Sequence, residues 1–100
     1  MKPAVFLSEA ENEMLEAARY YEDQATGLGM DYLSEVEHAV RTIEEAPATW
    51  PVIEGELRRR LIRRFPFGIL YRIEPKEIVI VAVAHLKRRP GYWRERIEKR

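Results

Sequence analysis

From Ile78 to Ala84 the chain reads Ile-Val-Ile-Val-Ala-Val-Ala, with no polar side chain on either parity. Successive side chains of a strand point to opposite faces, so this run, as a strand, must be covered on both faces and lie centrally in a sheet. The stretch from Glu56 onward holds two further β-prone runs, divided by Pro66 and closed by the turn Glu74-Pro75-Lys76-Glu77. That is the pattern of a short antiparallel meander. Everything else in the chain has to cover it.

Lys2 to Leu7, with Ala4-Val-Phe-Leu, is apolar enough for a strand that starts the sheet. Ser8 and Glu11 stand at the spacing of a capping box and predict a helix start. Ala10, Met14, Ala17, Tyr21 and Ala25 then recur at helical spacing, and the helix is expected to end near Gln24. Gly27 and Gly29 allow a tight connection to a second helix, whose stripe is Leu33, Val36, Val40 and Ile43, joined by Tyr32 and Ala39. Pro47 stops that helix, because it pushes Ala46 out of helical geometry. Two helices on so short a link pack as an antiparallel hairpin and cover one side of the sheet.

The segment from Pro47 to Gly55 reads as a loop pinned by Trp50. In the first run of the meander Leu57, Arg59, Leu61, Arg63 and Phe65 form the more apolar parity and are expected to face the core. Arg58, Arg60 and Arg64 would then line the open face. In the next run Ile69, Tyr71 and Ile73 share one parity, and Gly68, Leu70, Arg72 and Glu74 the other. The predicted fold is α+β, in the order β-α-α-β-β-β, with the helical hairpin packed on one face of a small, mainly antiparallel sheet. A basic C-terminal tail follows. It reads as a short helix after Pro90, and the charge-dominated Arg94 to Arg100 as the one stretch open to disorder.

One hundred residues suit a single domain, residues 1–100, and the absence of cysteine leaves folding to packing alone. No apolar run reaches the roughly 18 residues of a transmembrane helix, and the start lacks a signal peptide's apolar segment, so no membrane role and a cytoplasmic location are expected. The formal net charge of zero hides a division. Residues 1–56 hold 3 Lys and Arg against 13 Asp and Glu, whereas residues 57–100 hold 14 against 4. Either acidic helices lie against basic strands, or a basic face meets a polyanion or an acidic protein.

Several pieces in order resemble the RelE/ParE superfamily of toxins from type II toxin–antitoxin systems. They are the opening strand with Ser8-Glu-Ala-Glu11, Tyr20-Tyr21-Glu22, Gly27-Leu-Gly29, Ala46-Pro47, Trp50-Pro51, Arg63 to Arg72, and Ala82 to Trp93. The resemblance implies a toxin held inactive by a cognate antitoxin, with the same β-α-α-β-β-β order. It also implies one of two targets. RelE-like members cut mRNA on the ribosome without a metal, and ParE-like members bind DNA gyrase.

Cleavage through a 2′-hydroxyl needs a proton acceptor, a proton donor and cations around the phosphorane. The catalytic candidates are His85, Lys87, Arg88 and Tyr92, of which His85 is of the residue type suited to proton transfer near neutral pH. Arg58, Arg60, Arg64, Arg72, Arg89 and Trp93 are the candidates for holding a target or a phosphate. No cofactor and no metal are expected, since zinc spacing and a Gly-rich phosphate loop are both missing from the sequence. The cutting members carry an Arg three residues before the strand Tyr, where this chain has Gly68 before Tyr71. That departure favours gyrase binding, with ribosome-dependent mRNA cleavage as the alternative.

Overall fold

A computed structural model describes residues 1–98, and Lys99 and Arg100 lie outside the described residues. Strand β1 (Ala4–Phe6) leads into helices α1 (Ser8–Gln24) and α2 (Leu28–Glu45), then a single 3-10 turn, Pro47–Thr49. Strands β2 (Val52–Glu54), β3 (Leu57–Leu61), β4 (Phe67–Ile73) and β5 (Ile78–His85) follow, and helix α3 (Arg94–Glu98) closes the described chain. The strands form one sheet in the order β1-β5-β4-β3-β2. Only β1 and β5 run parallel. The apolar strand β5 is interior, as its composition requires, and β4 occupies the middle of the sheet.

The helical hairpin is built as its periodicity predicts. Ala10, Ala17, Tyr32, Val36, Ala39 and Ile43 pack on Ile69, Tyr71, Ile78, Ile80 and Val83. Gly27 takes a left-handed φ of 88° at the start of α2, and the Glu22 carboxylate accepts the N–H groups of Gly27 and Gly29. Those free N–H groups at a helix start would otherwise lack partners. At Gly29 the two helices approach closely: a Cβ there would stand 2.6 Å from the Ala18 carbonyl oxygen. Gly29→Ala should therefore lower stability by about 1–3 kcal/mol through overpacking. A urea unfolding midpoint unchanged by this substitution would show that the hairpin can part without loss.

Four expectations need correction. The capping box does not form. Leu7, whose N–H pairs with the Ile80 carbonyl, stands in the cap position, and Ser8 is already helical with its hydroxyl toward Glu9. Val52–Glu54, read as part of a loop, pairs antiparallel with β3 and adds a fourth strand to the meander, turned at Gly55 with φ 56°. The tail is not open to disorder over Arg94–Glu98, which form α3; the remainder of that stretch lies outside the described residues.

The parity of β3 is also reversed. Leu57 is buried on the face away from the helical hairpin, in a second cluster with Leu70, Val79, Val81, Ala82 and Trp93. Arg58 and Arg60 therefore point toward the helices. Arg58 donates to the Ala48 and Trp50 carbonyls, and Arg60 donates to Thr42 Oγ1 while lying over the Trp50 ring at 4.9 Å. The physical reason is that the sheet has two apolar faces. A register bulge, with Leu70 opposite Ala82 and Tyr71 opposite Ile80, puts both Val81 and Ala82 into the second cluster.

Candidate functional site

The C-terminal segment wraps the second face. After β5 the chain turns back on itself: Leu86 N–H donates to the Pro66 carbonyl, Arg88 N–H to the His85 carbonyl, and Lys87 N–H to His85 Nδ1. Gly91, at φ 82°, redirects it across the sheet. Trp93 drops into the second cluster and is 6% exposed. Arg94 forms a two-pronged pair with Glu54 of β2 at 2.8 and 2.7 Å.

On the other side the segment is tied to α1 through Glu13. Strand β1 covers only Ile78–Ile80 of β5, so the remaining outer edge of β5 needs other partners. Glu13 Oε1 accepts the Val83 N–H at 3.0 Å, and Arg96 donates to the Val81 carbonyl at 3.1 Å. Arg96 and Glu13 also pair through two charge-assisted bonds of 2.8 and 2.9 Å. Tyr92 Oη donates to Glu13 Oε2 at 2.7 Å. Burial, and then that bond to a carboxylate, push the Tyr92 phenol well above its ordinary pKa.

Between the segment and the sheet lies a cleft of about 270 Å³. Gly68, Leu70 and Ala84 form its floor, and Arg59, Arg88 and Arg89 bring cations to it. The Arg59 stem crosses the bare backbone of Gly68, where a Cβ would come within 3.1 Å of Arg59 Cγ and Cδ. Gly68 thus leaves room for an arginine carried by the neighbouring strand. Glu54 is the carboxylate of the lining, and its hydrogen bonds to Arg94 hold its pKa below the usual carboxylate value.

The residues singled out from sequence are only partly brought together. His85, Arg88, Arg89, Tyr92 and Trp93 all border the cleft, and Lys87 is exposed beside them. His85 stacks on Phe67 with ring centroids 5.1 Å apart. Tyr92 lies under the Arg88 guanidinium at 3.8 Å. Trp93 is a core residue. Arg58 and Arg60 are on the helix side, Arg64 pairs with Asp31 of α2, and Arg72 pairs with Glu74 toward the other end of the sheet.

Arg59, Glu13, Glu54, Arg94 and Arg96 were not among the sequence candidates. The alternation of β3 would have pointed to Arg59 had the second face been known to be covered. Three of the five ion pairs among the described residues join the acidic half to the basic half: Asp31–Arg64, Glu54–Arg94 and Glu13–Arg96. Internal complementarity therefore accounts for part of the charge division, and among the described residues Arg59, Arg88 and Arg89 form none of these ion pairs.

None of the curated protein sequences compared with the chain matches it. Among solved structures, a chain of the chromosomal ParDE toxin–antitoxin system from P. aeruginosa has a similar fold, with a TM-score of 0.75 at 16% identity. The likeness covers 87% of this chain and 98% of that one. A family model described as the ParE toxin of the type II toxin–antitoxin system parDE matches residues 4–90. The chain belongs to that family of ParE toxins.

Proposed function

We propose that this chain arrests bacterial growth by binding and inhibiting DNA gyrase in the cytoplasm, and that a cognate antitoxin holds it inactive. Membership of the ParE family supports the toxin and its antitoxin partner. No helix among the described residues is long and apolar enough to cross a membrane. What favours binding over RNA cleavage is the engagement of the groups that proton transfer would use. Tyr92 gives its hydroxyl hydrogen to Glu13, and its raised pKa keeps the phenol protonated. A phenol so held is a poor base. His85 spends Nδ1 on the Lys87 N–H and packs its ring on Phe67.

Inducing the chain alone should arrest growth, and co-expressing the neighbouring open reading frame should restore it. After a brief pulse of toxin, supercoiling should fall while mRNA 5′ ends on ribosomes stay unchanged. His85→Ala should leave the arrest in place. New codon-positioned cuts that disappear with His85→Ala would overturn gyrase binding in favour of RNA cleavage.

A further inference from the structure

The cleft has an unusual electrostatic balance. Among the described residues, no carboxylate pairs with Arg59, Arg88 or Arg89. The one acid in the lining, Glu54, has both oxygens taken by Arg94. Arg59, Arg88 and Arg89 thus line a floor of Gly68, Leu70 and Ala84 with no pairing carboxylate among the described residues, and the Arg88 guanidinium lies over the Tyr92 ring. Exposed aliphatic side chains continue that floor outward: Leu61 and Leu86 are each 49% exposed, and Ile53 is 39% exposed.

Resting on the reading of this chain as a toxin that acts by binding, we propose that the cleft docks an acidic, aliphatic segment of a partner protein, with Arg59 as the central cation. Charge complementarity selects the carboxylates, and the apolar floor selects aliphatic neighbours. A single-stranded nucleic acid is disfavoured by the same surface. Base recognition uses exposed aromatic faces, whereas here Trp93 is buried and Tyr92 is roofed by Arg88 and tied to Glu13. The volume of about 270 Å³ is that of a pocket for anchor side chains of a larger partner. Arginine suits the task because its planar fork meets a carboxylate with two parallel bonds. The Arg59 stem is laid over Gly68, and among the described residues its guanidinium has no salt bridge.

The test uses the full chain and three fluorescent probes read by anisotropy: a ten-residue peptide alternating Leu and Glu, the same peptide with Gln for Glu, and a ten-nucleotide single-stranded DNA. The Glu peptide should bind at least tenfold more tightly than the Gln peptide. Arg59→Ala should weaken it at least tenfold, Arg59→Lys less, and Lys76→Ala, in the distant β4–β5 turn, not at all. A thermal melt of each variant separates lost binding from lost fold, and Arg89→Glu, on an exposed residue of the cleft rim, gives a second route to the same loss. Equal binding of the Glu and Gln peptides, tighter binding of the DNA, or indifference to both Arg59→Ala and Arg89→Glu would overturn the proposal. Growth arrest is scored separately: a wild-type chain that arrests growth while failing these binding criteria refutes the cleft assignment and leaves the toxin reading intact. A wild-type chain that does not arrest growth refutes the toxin reading.

Discussion

Trp93→Ala is expected to lower the stability of the folded chain by about 3–5 kcal/mol, the range for deleting a large aromatic from a packed interior. Trp93 is 6% exposed and lies against Leu57, Leu70, Val79, Val81 and Ala82, which form the face of the sheet away from the helical hairpin. Without the indole that face loses its cover, and the apolar parity of β5 that drove the strand into the interior meets water. A urea titration read by far-ultraviolet circular dichroism, free of the lost tryptophan signal, measures the change. Trp93→Phe should recover more than half of it. The same variant also decides between two roles for this residue. As a target contact, Trp93 would be replaceable at little expense to folding, and toxicity alone would fall. A loss below about 1 kcal/mol would show that the indole is a surface group and that the second cluster closes without it.

How much of this could be read from residue order depends on the range of the interactions involved. The helices were legible because their periodicity is local: Ala10, Ala17, Val36 and Ile43 are spaced for one face and are buried on one face. Strand β5 was legible because a run apolar on both parities can only be interior. That same rule implied a cover for the second face, but the cover comes from a segment that reads as a charged tail. Arg94 finds Glu54 across 40 residues and Arg96 finds Glu13 across 83, and no local pattern announces either pair.

The arginines of β3 were misplaced for a related reason. With Leu57 and Leu61 on one parity and Ile62 and Phe65 beyond, the strand has no clean alternation, and the choice of face turned on which side was thought to be bare. Ile62 and Phe65 do join the helix-side core, but only after the chain has left the strand, through a turn in which Arg64 takes a φ of 69°. Gly68 drew attention as a missing arginine. Its consequence is spatial: the Arg59 stem from the next strand occupies the room that Gly68 leaves. A cation therefore reaches the cleft from a position that one-dimensional comparison does not align with it.

Glu13→Ala should produce the other large effect, a loss of about 3 kcal/mol, the low end for breaking a desolvated ion pair by removing one partner. Glu13 serves four donors at once: Val83 N–H, Tyr92 Oη and two nitrogens of Arg96. The side chains of Glu13 and Arg96 are each only 14% exposed, so the stranded guanidinium cannot simply turn into water. The Val83 N–H on the uncovered edge of β5 loses its acceptor as well, a penalty that applies whatever Arg96 does. Glu13→Gln keeps an oxygen for one donor and should fall between wild type and alanine. Replacing both partners, Glu13→Leu with Arg96→Met, should regain stability over Glu13→Ala, because no buried charge is then left alone. Hydrogen exchange at the Val83 amide locates the effect: protection there should drop in Glu13→Ala before it drops in the helical hairpin. If the double replacement is no better than the single one, the pair is not what holds the C-terminal segment. Val83 protection unchanged in Glu13→Ala would mean that the outer edge of β5 is closed by some other group.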